Sequence, residues 1–236
     1  MHDRTSGAVF NRSGPPRFRG AGSLRSARRA WRDLARPAEA ARVVESAIVA
    51  FGGIDILVNN AGGTDEGVKP WLDASVAQLA STYEQNVLSA VRLVQAFVPY
   101  MKERGWGRII NVSSLAAFSP PAASLLYTGI KSYVLNISES LDMELKPYGI
   151  HVTALCPGFT HSEFHDVMGT RDTANHLPAI LWQQPDAVVK EAYEAVMKGK
   201  PVCVPGIVNK VIASSMRPMP ESARYFLGKT FNPFKN

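Results

Sequence analysis

The chain is 236 residues long, 46% apolar and 19% charged, the composition of one ordinary globular domain large enough to bury a core. No run approaches the roughly 18 apolar residues of a membrane span and no signal-peptide core opens the chain, so a cytoplasmic protein is expected. Two cysteines, Cys156 and Cys203, lie in apolar strand-like runs, which excludes a disulfide framework and reads as reduced, buried thiols.

Charge is unevenly spread. Residues 1–36 hold nine Arg and two Asp, a net +7, while the remainder nets −1. Residues 1–32 therefore read as an atypical, disordered Arg-rich head before a single domain over 33–236. The head is open to three readings: an arm for nucleic acid or anionic lipid, a tail without function, or a stretch that is not the domain's own N-terminus. It lacks the amphipathic apolar face of an organellar targeting peptide. The body has no basic excess, so no nucleic-acid partner is expected.

Beyond the head, elements alternate. Pro37 to Phe51 is Ala-rich with Pro at its start and Gly52-Gly53 after it, which predicts a helix. Ile54–Asn59 predicts a buried strand ending in the small-residue turn Asn60-Ala61-Gly62, where backbone can approach a ligand closely. Asp73 to Arg104 predicts a long helical region capped by Asp73 and bent near Asn86, because Asn is a poor helix former. Arg108–Val112 predicts a strand that ends on Ser113 and Ser114. Leu125–Lys146 predicts a helix, Ile150–Leu155 a strand closed by Cys156-Pro157-Gly158, Pro185–Lys198 a helix and Pro201–Val204 a last strand.

Short buried strands alternating with helices predict a parallel sheet covered on both faces. Residues 159–184 predict a long irregular segment after a strand's C-terminal end, where such sheets bind ligands. Its apolar residues Phe159, Phe164, Leu177, Leu181 and Trp182 suit a lid over a lipophilic substrate. His161 and His165 are spaced i, i+4, but the zinc-protease order puts Glu directly after the first His, so no metal site is expected. The run from Ile207 to Phe234 reads as a helix capping the cleft or packing on a second copy, with a membrane-surface helix as the alternative.

Tyr127 and Lys131, four residues apart on a helix, share one face. A phenol titrates near pH 10 and is a poor acid or base at neutrality. A neighbouring ammonium favours the phenolate, and bringing the pKa to about 7 takes roughly 4 kcal/mol at about 1.36 per unit. Ser114, thirteen residues upstream of Tyr127, is spaced to hold a carbonyl oxygen beside the phenol, whereas Ser113 reads as turn punctuation.

Five pieces in order, Asn-Asn-Ala-Gly at 59–62, Asn86, Asn-Val-Ser-Ser at 111–114, Tyr-x-x-x-Lys at 127–131 and Pro-Gly-x-Thr-x-Ser at 157–162, resemble the short-chain dehydrogenase/reductase family from about Asp33 onward. The resemblance implies a Rossmann-like, doubly wound α/β fold and a catalytic tetrad of Asn86, Ser114, Tyr127 and Lys131. Tyr127 would be the acid/base and Ser114 would polarise the carbonyl. Lys131 would lower the phenol pKa and bind the nicotinamide ribose, and Asn86 would anchor a relay water.

For the cofactor, NADP or NAD, it implies Asp33 and Leu34 at the adenine, Asn60, Ala61 and Gly62 on the adenosine side, and Pro157, Gly158, Thr160 and Ser162 at the carboxamide and phosphate side. The reaction implied is reduction of a lipophilic ketone or ketoacyl group, or oxidation of a secondary alcohol. A homo-oligomer fits the same family.

The family's opening strand and Gly-x-x-x-Gly-x-Gly phosphate loop are not found. Gly20-Ala21-Gly22 is the nearest imitation, and the fold is expected to be incomplete at its N-terminal side, with weak cofactor binding. The alternative is a Rossmann-like binding or oligomer-partner protein without a working cofactor site.

Overall fold

Three runs rich in Ile, Leu and Val, four to six residues long, pair in the middle of the central sheet, with shorter strands at its edges. A computed structural model describes residues 8–10, 37–62, 73–120, 126–167, 172 and 175–230. Strand β1 (Ala8–Phe10) is followed by α1 (Pro37–Phe51), β2 (Ile56–Asn59), α2 (Val76–Tyr83), a π-helical turn (Glu84–Leu88), α3 (Ser89–Glu103), β3 (Gly107–Val112), α4 (Tyr127–Leu145) and β4 (Ile150–Leu155). Next come β5 (Phe159–Thr160), the short α5 (Phe164–Val167), β6 (Trp182–Gln183), α6 (Pro185–Met197), β7 (Val202–Cys203), α7 (Ile207–Met216) and α8 (Glu221–Thr230). The fold is Rossmann-like α/β.

The main sheet has the order β1-β2-β3-β4-β7. β2, β3, β4 and β7 are parallel, with Asn59 beside Asn111 and Val112 beside Leu155. β1 is antiparallel to β2, which corrects the expectation of a wholly parallel sheet and places three residues of the head on its edge. β5 and β6 form a small parallel pair, so the lid segment is less irregular than its composition predicts.

Alternation along the strands decides the two faces. Leu57, Ile109, Ile150 and Val152 pack with Ala40 and Val44 of α1, Phe97 and Met101 of α3 and Leu145 of α4. Ile110, Leu155 and Cys203 face the other way, onto Val188, Ala192 and Val196 of α6. Both faces are thus covered, as parallel strands require. The cysteines are free and buried, and burial pushes their thiols up, to about 12 for Cys156 and about 11 for Cys203.

Helix α2 begins at Ser75 rather than at Asp73. The Ser75 hydroxyl accepts from the Gln78 amide at 3.2 Å, and the Gln78 side chain accepts from the Ser75 amide at 2.8 Å. This reciprocal capping box satisfies two donors that Asp73 would leave open. α4 buries Ile130, Lys131, Val134, Leu135, Ser138, Asp142 and Leu145, a stripe at helical spacing that carries Lys131 inward with the apolar residues. Asp142 pins the far end of α4, accepting from the Val152 amide at 2.9 Å.

Among the described residues, no helix is long and apolar enough to cross a membrane.

Candidate active site

The C-terminal ends of β3 and β4 are stitched together by backbone bonds from Ser113 to Leu155 at 2.7 Å and from Leu115 to Pro157 at 2.8 Å. The chain leaves the sheet at this seam, and the four tetrad positions gather beside it. Ser114 caps a 3-10 turn, Leu115–Ala117, by accepting from the Ala116 amide at 3.1 Å. Its hydroxyl also lies near enough to the Tyr127 phenol to lower the phenol pKa. Tyr127 opens α4, and Lys131 follows one turn later with its Nζ 5.7 Å from the Tyr127 ring centroid. The Lys131 ammonium is buried and donates to the Val112 carbonyl at 3.1 Å.

Asn86 sits in the π-helical turn, buried, with Nδ2 donating to the Thr82 carbonyl at 2.8 Å. The extra residue of a π turn rotates a side chain away from its α-helical direction, and here it brings the amide to Gly62. A Cβ on Gly62 would lie 2.6 Å from Asn86 Oδ1 and 4.0 Å from Lys131 Nζ. Only glycine lets the Asn60–Gly62 turn come so close, so Gly62, Asn86 and Lys131 form one wall.

Burial sets the electrostatics. Desolvation raises the Tyr127 pKa above 10, and the nearby Ser114 hydroxyl opposes this only in part. The net shift is thus upward, against the expected lowering: desolvation outweighs the Lys131 ammonium, which is held on Val112 and is itself desolvated, down to about 8. A buried cation near neutrality has a raised free energy and favours any arrangement that adds acceptors or negative charge.

The Pro157–Ser162 segment is ordered by its own bonds. Thr160 Oγ1 donates to the Gly158 carbonyl at 3.2 Å, and Ser162 Oγ to the Thr160 carbonyl at 3.4 Å. Above it lies a run of rings: Tyr127 to Phe164 at 6.2 Å, Phe164 to His165 at 5.5 Å, His165 to Trp182 at 5.3 Å and Trp182 to His161 at 4.8 Å. The two histidines are ring partners within this wall, and no metal-holding cluster occurs among the described residues. Asn60 is exposed, and Ala61 follows it in the turn. Asp33 and Leu34, and the Gly20–Gly22 segment, lie outside the described residues.

The family model for short chain dehydrogenases matches residues 23–172. This chain belongs to the short-chain dehydrogenase family. The match opens before Asp33, earlier than the motifs alone suggest. The chain is 30% identical over 164 residues to the ketoacyl reductase HetN of Nostoc sp., covering 70% of this chain and 55% of that protein. It is 31% identical over 195 residues to the human dehydrogenase/reductase SDR family member 4, covering 80% and 61%. It thus spans less than two thirds of the length of these curated relatives. A solved short-chain dehydrogenase from Sphingobium yanoikuyae, in complex with NADPH, aligns with a TM-score of 0.66 at 27% identity, over 86% of this chain and 75% of that one.

Sequence reasoning missed three positions around this short-chain dehydrogenase site. Ser113 is buried and donates to the Lys131 carbonyl at 2.6 Å, so it ties α4 to β3 rather than marking a turn. Asn59 Nδ2 donates to Asn111 Oδ1 at 2.8 Å, and Asn111 Nδ2 to Ser138 Oγ at 2.9 Å, a buried polar chain from β2 through β3 to α4. Polar residues on the inward register of two apolar strands are the signal that would have found Asn59 and Asn111.

Proposed function

We propose that this short-chain dehydrogenase interconverts a lipophilic ketone or ketoacyl group and the corresponding secondary alcohol, using NADP(H) or NAD(H). The observation that carries the reading is the Ser114–Tyr127–Lys131 arrangement: a hydroxyl beside a half-buried phenol, with a buried ammonium on the same helix face. Lys131 also fits a ribose. Of its three donors one goes to Val112, and no other acceptor for it is found among the described residues. The Asn60–Gly62 turn and the segment from Pro157 to Ser162 flank it and would hold the rest of the dinucleotide. The relatives support the reaction class: one is named a ketoacyl reductase and the Sphingobium enzyme is described with NADPH.

When bound, the nicotinamide would supply or accept the hydride at the carbonyl carbon. The protein's share is position and proton. Ser114 donates a hydrogen bond to the substrate oxygen. Tyr127, kept protonated by burial, gives its proton to that oxygen during reduction and takes it back during oxidation. The Lys131 charge stabilises the phenolate left behind, and Asn86, against Gly62 and Lys131, holds the relay that reprotonates it. The ring wall of Phe159, Phe164 and Trp182 excludes water and favours an apolar substrate.

NADPH and NADH oxidation against a panel of aryl and long-chain ketones tests the reading. Tyr127→Phe is expected to lower kcat by at least about 10²-fold with KM little changed, and Ser114→Ala to be comparably severe. Near-wild-type turnover in Tyr127→Phe would remove the assignment.

A further inference from the structure

Three elements that flank the site meet at one buried side chain outside the tetrad. Asn209, in the first turn of α7, is 3% exposed. Its Nδ2 donates to Gln183 Oε1 at 2.7 Å and to the Pro205 carbonyl at 3.0 Å. Gln183 belongs to β6, and its backbone carbonyl accepts from the His161 amide at 3.0 Å. On the other side, the amide of Asn209 lies directly against Gly158. A Cβ there would sit 2.6 to 2.8 Å from Asn209 Oδ1, Nδ2 and Cγ. The base of α7 is braced from behind by Glu191, which accepts from the Gly206 amide at 2.9 Å and from Lys210 at 2.8 Å.

The Pro157–Gly158 turn, the lid strand β6 and helix α7 are thus keyed to one planar amide. The tetrad is not. Ser114, Tyr127 and Lys131 are held from β3 and α4, through the Ser113–Lys131 bond, and a backbone bond from Leu115 to Pro157 joins them to the turn. We infer that Asn209 is a positioning residue: by filling the space behind Gly158 and tethering Gln183, it fixes the spacing between the cofactor-facing turn and the lid. It therefore governs affinity for dinucleotide and ketone rather than the chemical step. The inference rests on the reading above, in which the segment from Pro157 to Ser162 faces the dinucleotide.

Removing the amide empties the space beside Gly158 and leaves the Gln183 and Pro205 oxygens without their donor. The turn and β6 can then move independently, while the phenol and ammonium stay in place. A purely structural residue would lower stability without separating KM from kcat.

The full chain carrying Asn209→Ala is compared with wild type and with Val196→Ala, a fully buried α6 residue packed on β3, β4 and β7. Steady-state kinetics with NADPH and the best ketone are combined with amide hydrogen exchange at His161 and at Trp182–Gln183. Asn209→Ala is expected to raise both KM values about tenfold with kcat within about threefold, and to speed exchange of the His161 amide about tenfold or more. Val196→Ala is expected to lower Tm as much or more and leave both KM values within about twofold. Asn209→Gln, which keeps the amide but not its length, should fall between wild type and Asn209→Ala. Unchanged KM values in Asn209→Ala, or a rise matched by Val196→Ala at equal loss of Tm, would overturn the inference. If wild type turns over no ketone, the functional reading fails by itself. Exchange at His161 then decides the positioning claim, and an unchanged rate in Asn209→Ala would reject it.

Discussion

Arg108 and Lys131 are two buried cations attached to opposite ends of the same strand. Arg108 enters β3 at its start, where its guanidinium donates to the Gly107 and Gly149 carbonyls at 2.7 and 3.0 Å and lies 4.4 Å from the Trp106 ring. Lys131 reaches the strand's last residue, with one bond to the Val112 carbonyl. Neither forms an ion pair among the described residues. Burial lowers both pKa values, but the outcomes differ. A guanidinium stays protonated throughout the working range, so Arg108 acts as a fixed staple over the β3–β4 entry. The ammonium falls to about 8, where its charge responds to pH and to whatever binds beside it. One end of the strand thus carries a cation whose bonds tie the fold together, and the other a cation that, on the proposed reading, serves the chemistry.

That division can be broken from the staple's side. Arg108→Met keeps the aliphatic stem but leaves one buried and one half-buried carbonyl without this donor, and is expected to cost about 2 kcal/mol of stability. Chemical denaturation measures it. The account also expects kcat per folded molecule to be unchanged, and a kcat loss without a loss of stability would place Arg108 in the active site.

The pH profile sharpens the other end. Below about pH 8 Lys131 is protonated and can stabilise the phenolate; above that value its charge is lost. Tyr127, raised above 10, stays protonated across the same window. Ketone reduction should therefore fall as pH rises through about 8, by up to about tenfold per unit. A flat profile from pH 7 to 9.5 would show that the lysine charge takes no part.

The smallest expected effect is at the hinge between them. Ser113→Ala removes the bond to the Lys131 carbonyl and should cost about 1 kcal/mol, with little change in turnover per folded molecule. A kcat loss as large as that of Ser114→Ala would mean that the two serines are not divided into structural and chemical roles.

Much of this was legible in the chain, and the misses have physical causes. The Tyr127–Lys131 pair could be read because four-residue spacing on a helix fixes a shared face, and the interruption at Asn86 appears as the π turn. The phenol's direction of shift was misread because sequence shows which groups are neighbours but not how far they are desolvated. Ser113 was misread because a hydroxyl after a strand looks alike whether it meets solvent or the Lys131 carbonyl. Asp73 lost the cap to Ser75 because a capping box needs a Gln or Glu three residues on, and only Ser75 has one, at Gln78. Asn209 could not be singled out at all. Its importance lies in Gly158 and Gln183, 51 and 26 residues away along the chain.

Lys131→Met tests the central claim most directly, because stability and activity should move in opposite directions. The isosteric apolar side chain removes a buried charge whose pKa lies well below the ordinary 10.5. In wild type that penalty is fully present below about pH 8 and fades as pH rises from there towards 10.5, since the unfolded chain then binds more protons than the folded one. At pH 7 the relief is on the order of a few kcal/mol, at about 1.36 per unit, only partly offset by the lost bond to Val112. The account predicts a higher Tm for Lys131→Met at pH 7, a gap that narrows above pH 9, and a kcat lowered by about 10²-fold or more. A Tm that falls, or turnover that survives, would contradict it.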